Sequence, residues 1–142
     1  MNQFVVLFEE NKFEVKKKGN SIYLELGNNV IFVLNLQKSQ WSDCYYINLG
    51  FYLSDNDLSE KYPKAHLCQV QKRLVPDAES DKCYEIGNHE VQDEIIALFR
   101  NTMIDRIKMI EDFSSLVERM EGTGFYLDAD AQRLLGIARH KL

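Results

Sequence analysis

The chain has 142 residues, a formal net charge of −5 and a pI near 5.2, with 45% apolar and 27% charged residues. That length suits a single domain over residues 1–142 with a sizeable core and is too short for two comfortable ones. The acidic balance opposes general nucleic-acid binding, which needs a basic surface to displace counterions, and the scarcity of proline and glycine opposes disorder.

Residues 1–12 read as a short N-terminal helix. Phe4, Leu7 and Phe8 share one helical face, with Glu9, Glu10 and Lys12 outside it, although the Val5-Val6 pair favours a strand. The Phe4–Phe8 apolar run is far below the roughly 20 residues a membrane span requires, so no membrane association is expected. Phe13 leads into Lys16-Lys17-Lys18-Gly19-Asn20, read as a basic solvated turn, with a phosphate-contacting role as the sharper alternative.

The segment 18–86 reads as a sheet. Ser21 to Leu26 alternates, with Ile22, Leu24 and Leu26 on one side and Ser21, Tyr23 and Glu25 on the other. Gly27-Asn28-Asn29 has turn composition, and a three-residue loop sets Leu26 opposite Val30, Leu24 opposite Phe32 and Ile22 opposite Leu34. The run from Val30 to Ser39 is the longest uninterrupted β-type stretch, and Tyr45 to Leu53 follows at hairpin distance. Two registers are open to this pair. One gathers the even positions Val30 to Leu36 with Ile47, Leu49, Phe51 and Leu53, and collects the amides Asn35, Gln37 and Asn48 on the far side. The other mixes the sets. Because a slip of one residue turns every side chain over, the segregated register is expected.

Asp55, Asn56 and Asp57 end that strand, and Leu58 to Lys64 is a polar connector. His66 to Val75 is a fourth strand, with Cys68, Val70, Lys72 and Leu74 against Gln69, Gln71 and Arg73. Pro76 to Asp81 is an acidic loop expected to be mobile, and Lys82 to Ile86 a short edge strand. The segment 88–141 is helical. Asn88 is the expected N-cap, and apolar residues recur at helical spacing from Val91 to Met120, as one helix or as two joined near Arg100-Asn101-Thr102. Gly122-Thr123-Gly124 is a helix stop, since no strand precedes it and no Lys-Ser/Thr follows, as a phosphate loop requires. Asp128 caps a last helix whose C-terminal end suits Arg139, His140 and Lys141. The fold expected is α+β: an antiparallel sheet of four to five strands with C-terminal helices packed on one face.

The wording Asn35-Leu36-Gln37-Lys38-Ser39, then Trp41, then Ile47-Asn48-Leu49-Gly50 resembles a bacterial family, domain of unknown function number 4304. The lead-in Phe13 to Gly19 with Tyr23, and the strand ending Gln71-Lys72-Arg73-Leu74, extend the likeness over roughly residues 13–75. The resemblance implies a shared fold and supplies no activity or catalytic residue.

Cys44, Cys68 and Cys83 are odd in number, match no CxxC spacing and have no secretory leader ahead of them, so reduced thiols in a cytoplasmic protein are expected. No cofactor motif is seen. His89 and Asp93 have the i, i+4 spacing of a metal pair, but two ligands are not a site, and helix starts attract acids in any case. Asn35, Gln37, Asn48, Gln69, Gln71 and Arg73 form the most informative cluster. These side chains either offer hydrogen bonds to a partner beside flat tyrosines or satisfy one another across strands. Trp41, in the hairpin loop, is a partner anchor if exposed and a core residue if it folds back. The expected function is a non-enzymatic binding module whose contact residues are Gln37, Lys38, Trp41, Tyr46, Asn48, Gln71 and Arg73, with a protein or peptide as partner. Two alternatives remain: a small enzyme or polar-ligand pocket around Arg73, Lys38 and His66, and a homodimer that buries this face.

Overall fold

The computed structural model describes residues 1–27, 29–54, 61–74, 83–85 and 87–142. Asn28, Asp55–Asp57, the start of the 58–64 connector, the acidic loop 76–81 and both ends of the expected edge strand, Lys82 and Ile86, lie outside the described residues. Helix α1 (Asn2–Glu10) buries Phe4, Leu7 and Phe8, as its spacing requires. Asn11 donates its side-chain amide to the Leu7 carbonyl at 2.8 Å, and Lys12, at φ +70°, turns the chain away.

The sheet has six strands in the order β1 to β6, every neighbouring pair antiparallel: β1 (Lys16–Lys18), β2 (Ser21–Gly27), β3 (Val30–Lys38), β4 (Tyr45–Leu53), β5 (Val70–Leu74) and β6 (Tyr126–Leu127). Three of these strands depart from expectation, β5 in beginning only at Val70 and not at His66. The lysine run is strand β1 and not a turn; only Gly19-Asn20 turns, with Gly19 at φ +59°. Charged side chains suit this edge position because they discourage pairing with another chain. Strand β6 is too short for any alternation to register in sequence, and it joins the sheet only after the helices have crossed from β5. Of the expected edge strand, the described part makes a single bridge, Tyr84 with Tyr45, through two backbone hydrogen bonds of 2.8 Å.

The central register is the segregated one. Phe32 pairs with Phe51, Leu34 with Leu49, Leu36 with Ile47 and Asn35 with Asn48. Between β2 and β3, Ile22 faces Leu34 and Leu24 faces Phe32 as expected, but a bulge after Glu25 sets Gly27, not Leu26, opposite Val30. Gly27 lies against the backbone of Glu111, where a Cβ would meet the carbonyl carbon at 2.9 Å, so the end of this hairpin receives the turn between two helices only because a glycine stands there.

The helical stripe breaks later than expected. Helix α2 (His89–Phe99), capped by the Asn88 side chain, runs through a π-helical segment (Arg100–Ile104) into α3 (Asp105–Lys108). Arg100 to Thr102 is therefore a widened turn and not a joint. There Thr102 donates to the Leu98 carbonyl at 2.7 Å, and Met103 and Ile104 both reach the core. The break comes at Asp112, where a capping box with Ser115 starts α4 (Phe113–Met120). Asp128 caps α5 (Ala129–Leu135), which Gly136 ends at φ +68°. Arg139 to Lys141 lie beyond that end, in an extended tail that returns beside β6, with Leu127 N–H donating to the His140 carbonyl.

Helices and sheet share one core. Phenylalanine rings mark its centre: Phe8 meets Phe99 at 5.6 Å and Phe32 at 6.2 Å, Phe32 meets Phe51 at 5.3 Å, and Phe51 meets Phe125 at 5.3 Å. No helix among the described residues is long and apolar enough to cross a membrane.

The opposite sheet face is not uniformly polar. Tyr23, Ile31, Val33 and Cys68 form a second, smaller apolar cluster there, with Tyr52 and Ala65 against it. The segment around the 3₁₀ turn Ala65–Leu67 covers it, and Tyr62 stands edge-on to Tyr23 at 5.3 Å. Cys68 therefore belongs to this face and not to the Val70–Leu74 set, because the strand begins only at Val70. Cys44 and Cys83 are bridged as a disulfide, which corrects the expectation of three reduced thiols.

Three predictions rest on these contacts. A Cβ on Gly50 would stand 2.7 Å from the Cys68 Cβ and 2.8 Å from its Sγ. Gly50→Ala should therefore cost about 1–3 kcal/mol in denaturant unfolding, and Cys68→Ala should restore only part of it, because the Cys68 Cβ remains. Burial pushes the Cys68 thiol up to about 12 from 9.0. The folded state thus holds this proton more tightly than the unfolded chain, so stability should fall as pH rises between those two values. Thiol titration of unreduced native protein near neutral pH should find no reactive cysteine, and denaturant should release Cys68 alone.

Candidate functional site

The register that buries the apolar set leaves Asn35, Gln37 and Asn48 together on the far face, and β5 adds Gln71 and Arg73 opposite Gly50 and Asn48. Here a cleft of about 810 Å³ opens over the strands, bordered by Lys64 to His66 from the 3₁₀ segment and by Tyr126 from β6. Its volume falls within the usual range for ligand sites.

The amides on its floor are already paired. Asn35 donates to the Ser21 hydroxyl at 2.9 Å, and Asn48 donates to Asn35 at 3.2 Å and to Gln37 at 3.0 Å. Arg73 donates from Nε to the Asn48 side-chain oxygen and from Nη2 to the Gln37 side-chain oxygen, each at 3.1 Å. Its guanidinium carbon lies 4.2 Å from the centre of the half-buried Tyr46 ring, a cation–π distance. The chain from Ser21 to Arg73 is thus a cross-strand network that fixes each member's orientation. Asn48, which bonds three of the others, is its hub.

Gln69 and Gln71 secure the cover. Gln71 donates to the His66 carbonyl at 3.1 Å and the Cys68 carbonyl at 2.6 Å, while Gln69 clasps both backbone groups of Leu53. Glu25 pairs with Lys16 at 3.2 Å. No described residue lining the cleft is Asp or Glu, whereas Lys64, His66, Lys72 and Arg73 all line it. Lys72 donates to the Thr123 carbonyl at 2.6 Å, and burial, then the nearby Lys141, lowers its pKa.

Of the seven contact residues expected from sequence, Gln37, Asn48, Gln71 and Arg73 line the cleft, and Tyr46 supports Arg73 from below. Lys38 and Trp41 do not line it. Lys38 holds a register position opposite Tyr45, on the helix-packed side, so the trio of Arg73, Lys38 and His66 is not brought together. Trp41 is 93% exposed in the hairpin loop and does not fold back on the core. Sequence reasoning missed Ser21, Lys64 and Tyr126. Ser21 was legible as the polar neighbour of Asn35 in the β2–β3 register, but nothing local marks the other two. His89 and Asp93 are both exposed, and no group of three or more metal-ligating side chains occurs among the described residues.

A family model described as domain of unknown function (DUF4304) matches residues 10–112. No curated protein and no solved structure matches the chain.

The hub position yields a test. Asn48→Ala removes one acceptor and one donor from three half-buried or exposed partners, so it should lower stability by about 1–3 kcal/mol in chemical denaturation. Gln37→Ala, at an exposed position, should lower it by less.

Proposed function

The chain belongs to the DUF4304 family, and from that premise we propose a non-enzymatic interaction module whose cleft on the tyrosine-bearing sheet face receives a polar segment of a partner protein. The observation that carries this reading is the way Arg73 is held. Its guanidinium rests on Tyr46 and is fixed by Asn48 and Gln37, yet it stays exposed at the cleft and meets no carboxylate among the described residues. A side chain immobilised before its partner arrives loses less entropy on binding, which is what a recognition surface needs. Hydrogen bonds among floor residues on neighbouring strands also make the platform stiff.

A binding role is further supported by the chemistry available. Cys68 lies over Gly50 in the covering segment, and burial pushes its thiol up to about 12, so it offers little thiolate as a nucleophile. Lys38 stands away from Arg73 and His66, which weakens the polar-ligand pocket drawn from sequence.

Arg73→Ala and Gln37→Ala should change the melting temperature little, since both side chains are exposed. Both should reduce capture of host proteins when each variant is used as bait beside the wild type. Equal capture by wild type and Arg73→Ala would remove this reading, as would a loss of several degrees in both variants.

A further inference from the structure

We propose that the cleft recognises carboxylates of an acidic, Asp/Glu-bearing peptide segment, with Arg73 as the central contact and Lys64 and His66 at the border. This rests on the binding reading above and adds the chemistry of the ligand. The protein carries a net charge of −5, yet none of the described lining residues is acidic, and Lys64, His66 and Arg73 line it with basic side chains, while the Lys72 ammonium is taken up by the Thr123 carbonyl. A cleft whose described lining holds basic side chains and no carboxylate, within an acidic chain, is a local positive site.

The geometry of Arg73 sharpens this. Its Nε–Nη2 edge is occupied by Asn48 and Gln37, and its face lies on Tyr46. The donors at the Nη1–Nη2 end take no partner among the described residues, and their position is fixed by the bonds on the other edge. A planar fork held in this way suits the two oxygens of a carboxylate. Gln37 and Asn48 accept from Arg73 and so orient it, while Lys64 adds charge and His66 an imidazole at the border. The acidic remainder of the molecule disfavours a long polyanion, whose backbone would extend past this small positive area, and favours a short acidic stretch.

The test is fluorescence anisotropy with a fluorescein-labelled peptide of alternating Glu and Gly, beside Gln–Gly and Lys–Gly versions and a labelled oligothymidine. The Glu–Gly peptide should bind at least about tenfold more tightly than the other three probes. Its affinity should fall as NaCl rises from about 50 to 500 mM. Arg73→Ala should weaken it by about tenfold or more, and Arg73→Lys should recover only part of the loss, since an ammonium lacks the fork. Lys64→Glu, at an exposed position, serves as a second variant should Arg73→Ala fail to fold, and should also weaken binding. Equal binding of the Gln–Gly peptide, unchanged binding by Arg73→Ala and Lys64→Glu, binding of oligothymidine as tight as that of Glu–Gly, or no Glu–Gly binding would each overturn the proposal. Equal binding of Gln–Gly that Arg73→Ala abolishes would overturn the acidic ligand alone, whereas equal host-protein capture by wild type and Arg73→Ala would overturn the module itself.

Discussion

The pairing of β3 with β4 is the constraint on which everything else depends. Because Leu34 faces Leu49 and Asn35 faces Asn48, one side of the sheet is a continuous apolar surface and the other carries a row of amides. A shift of one residue would put Asn35 and Gln37 among the phenylalanines and expose leucines in their place. The cost of burying unpaired amides makes the observed register the one compatible with a dry core. Core and cleft are therefore two consequences of a single alignment.

The far face is divided by the same strands. Ile31 and Val33 stand near one end of β3 and Asn35 and Gln37 near the other. The apolar end needs a cover, and the 3₁₀ segment supplies one that Gln69 and Gln71 tie to the sheet by their side-chain amides. Gly50 allows this cover to sit close, since Cys68 occupies the space a Cβ would need. The polar end is left open, and the edge of the cover becomes a border of the cleft. Packing on the apolar half thus gives the polar half its depth.

The two sides of the network differ in what they contribute. Asn35 and Asn48 are partly buried and bond one another, Asn35 also bonding Ser21 and Asn48 also bonding Gln37 and Arg73, so they hold strands in register. Gln37 and Arg73 are exposed, and the network orients them without hiding them. Cross-strand satisfaction and ligand recognition are therefore not competing descriptions of this cluster: the inner amides stiffen the surface on which the outer pair is displayed.

Patterns of period two and period 3.6 determined much of this protein from sequence. The register of β3 and β4, the face of α1, the Asn88 and Asp128 caps and the amide cluster all follow from alternation or from local hydrogen-bonding chemistry, which act over a few residues. Tertiary structure alone decided what depends on distant segments meeting. The capping box at Asp112 outweighed an unbroken apolar stripe, and β6 became a strand because β5 offered it an edge. The lysines of β1 pair because β2 lies beside them, and Cys44 meets Cys83 across a separation of 39 residues. The cleft itself belongs to this second group: its floor was written in the alternation of three strands, while its borders come from a covering turn and a late two-residue strand whose positions no local pattern encodes.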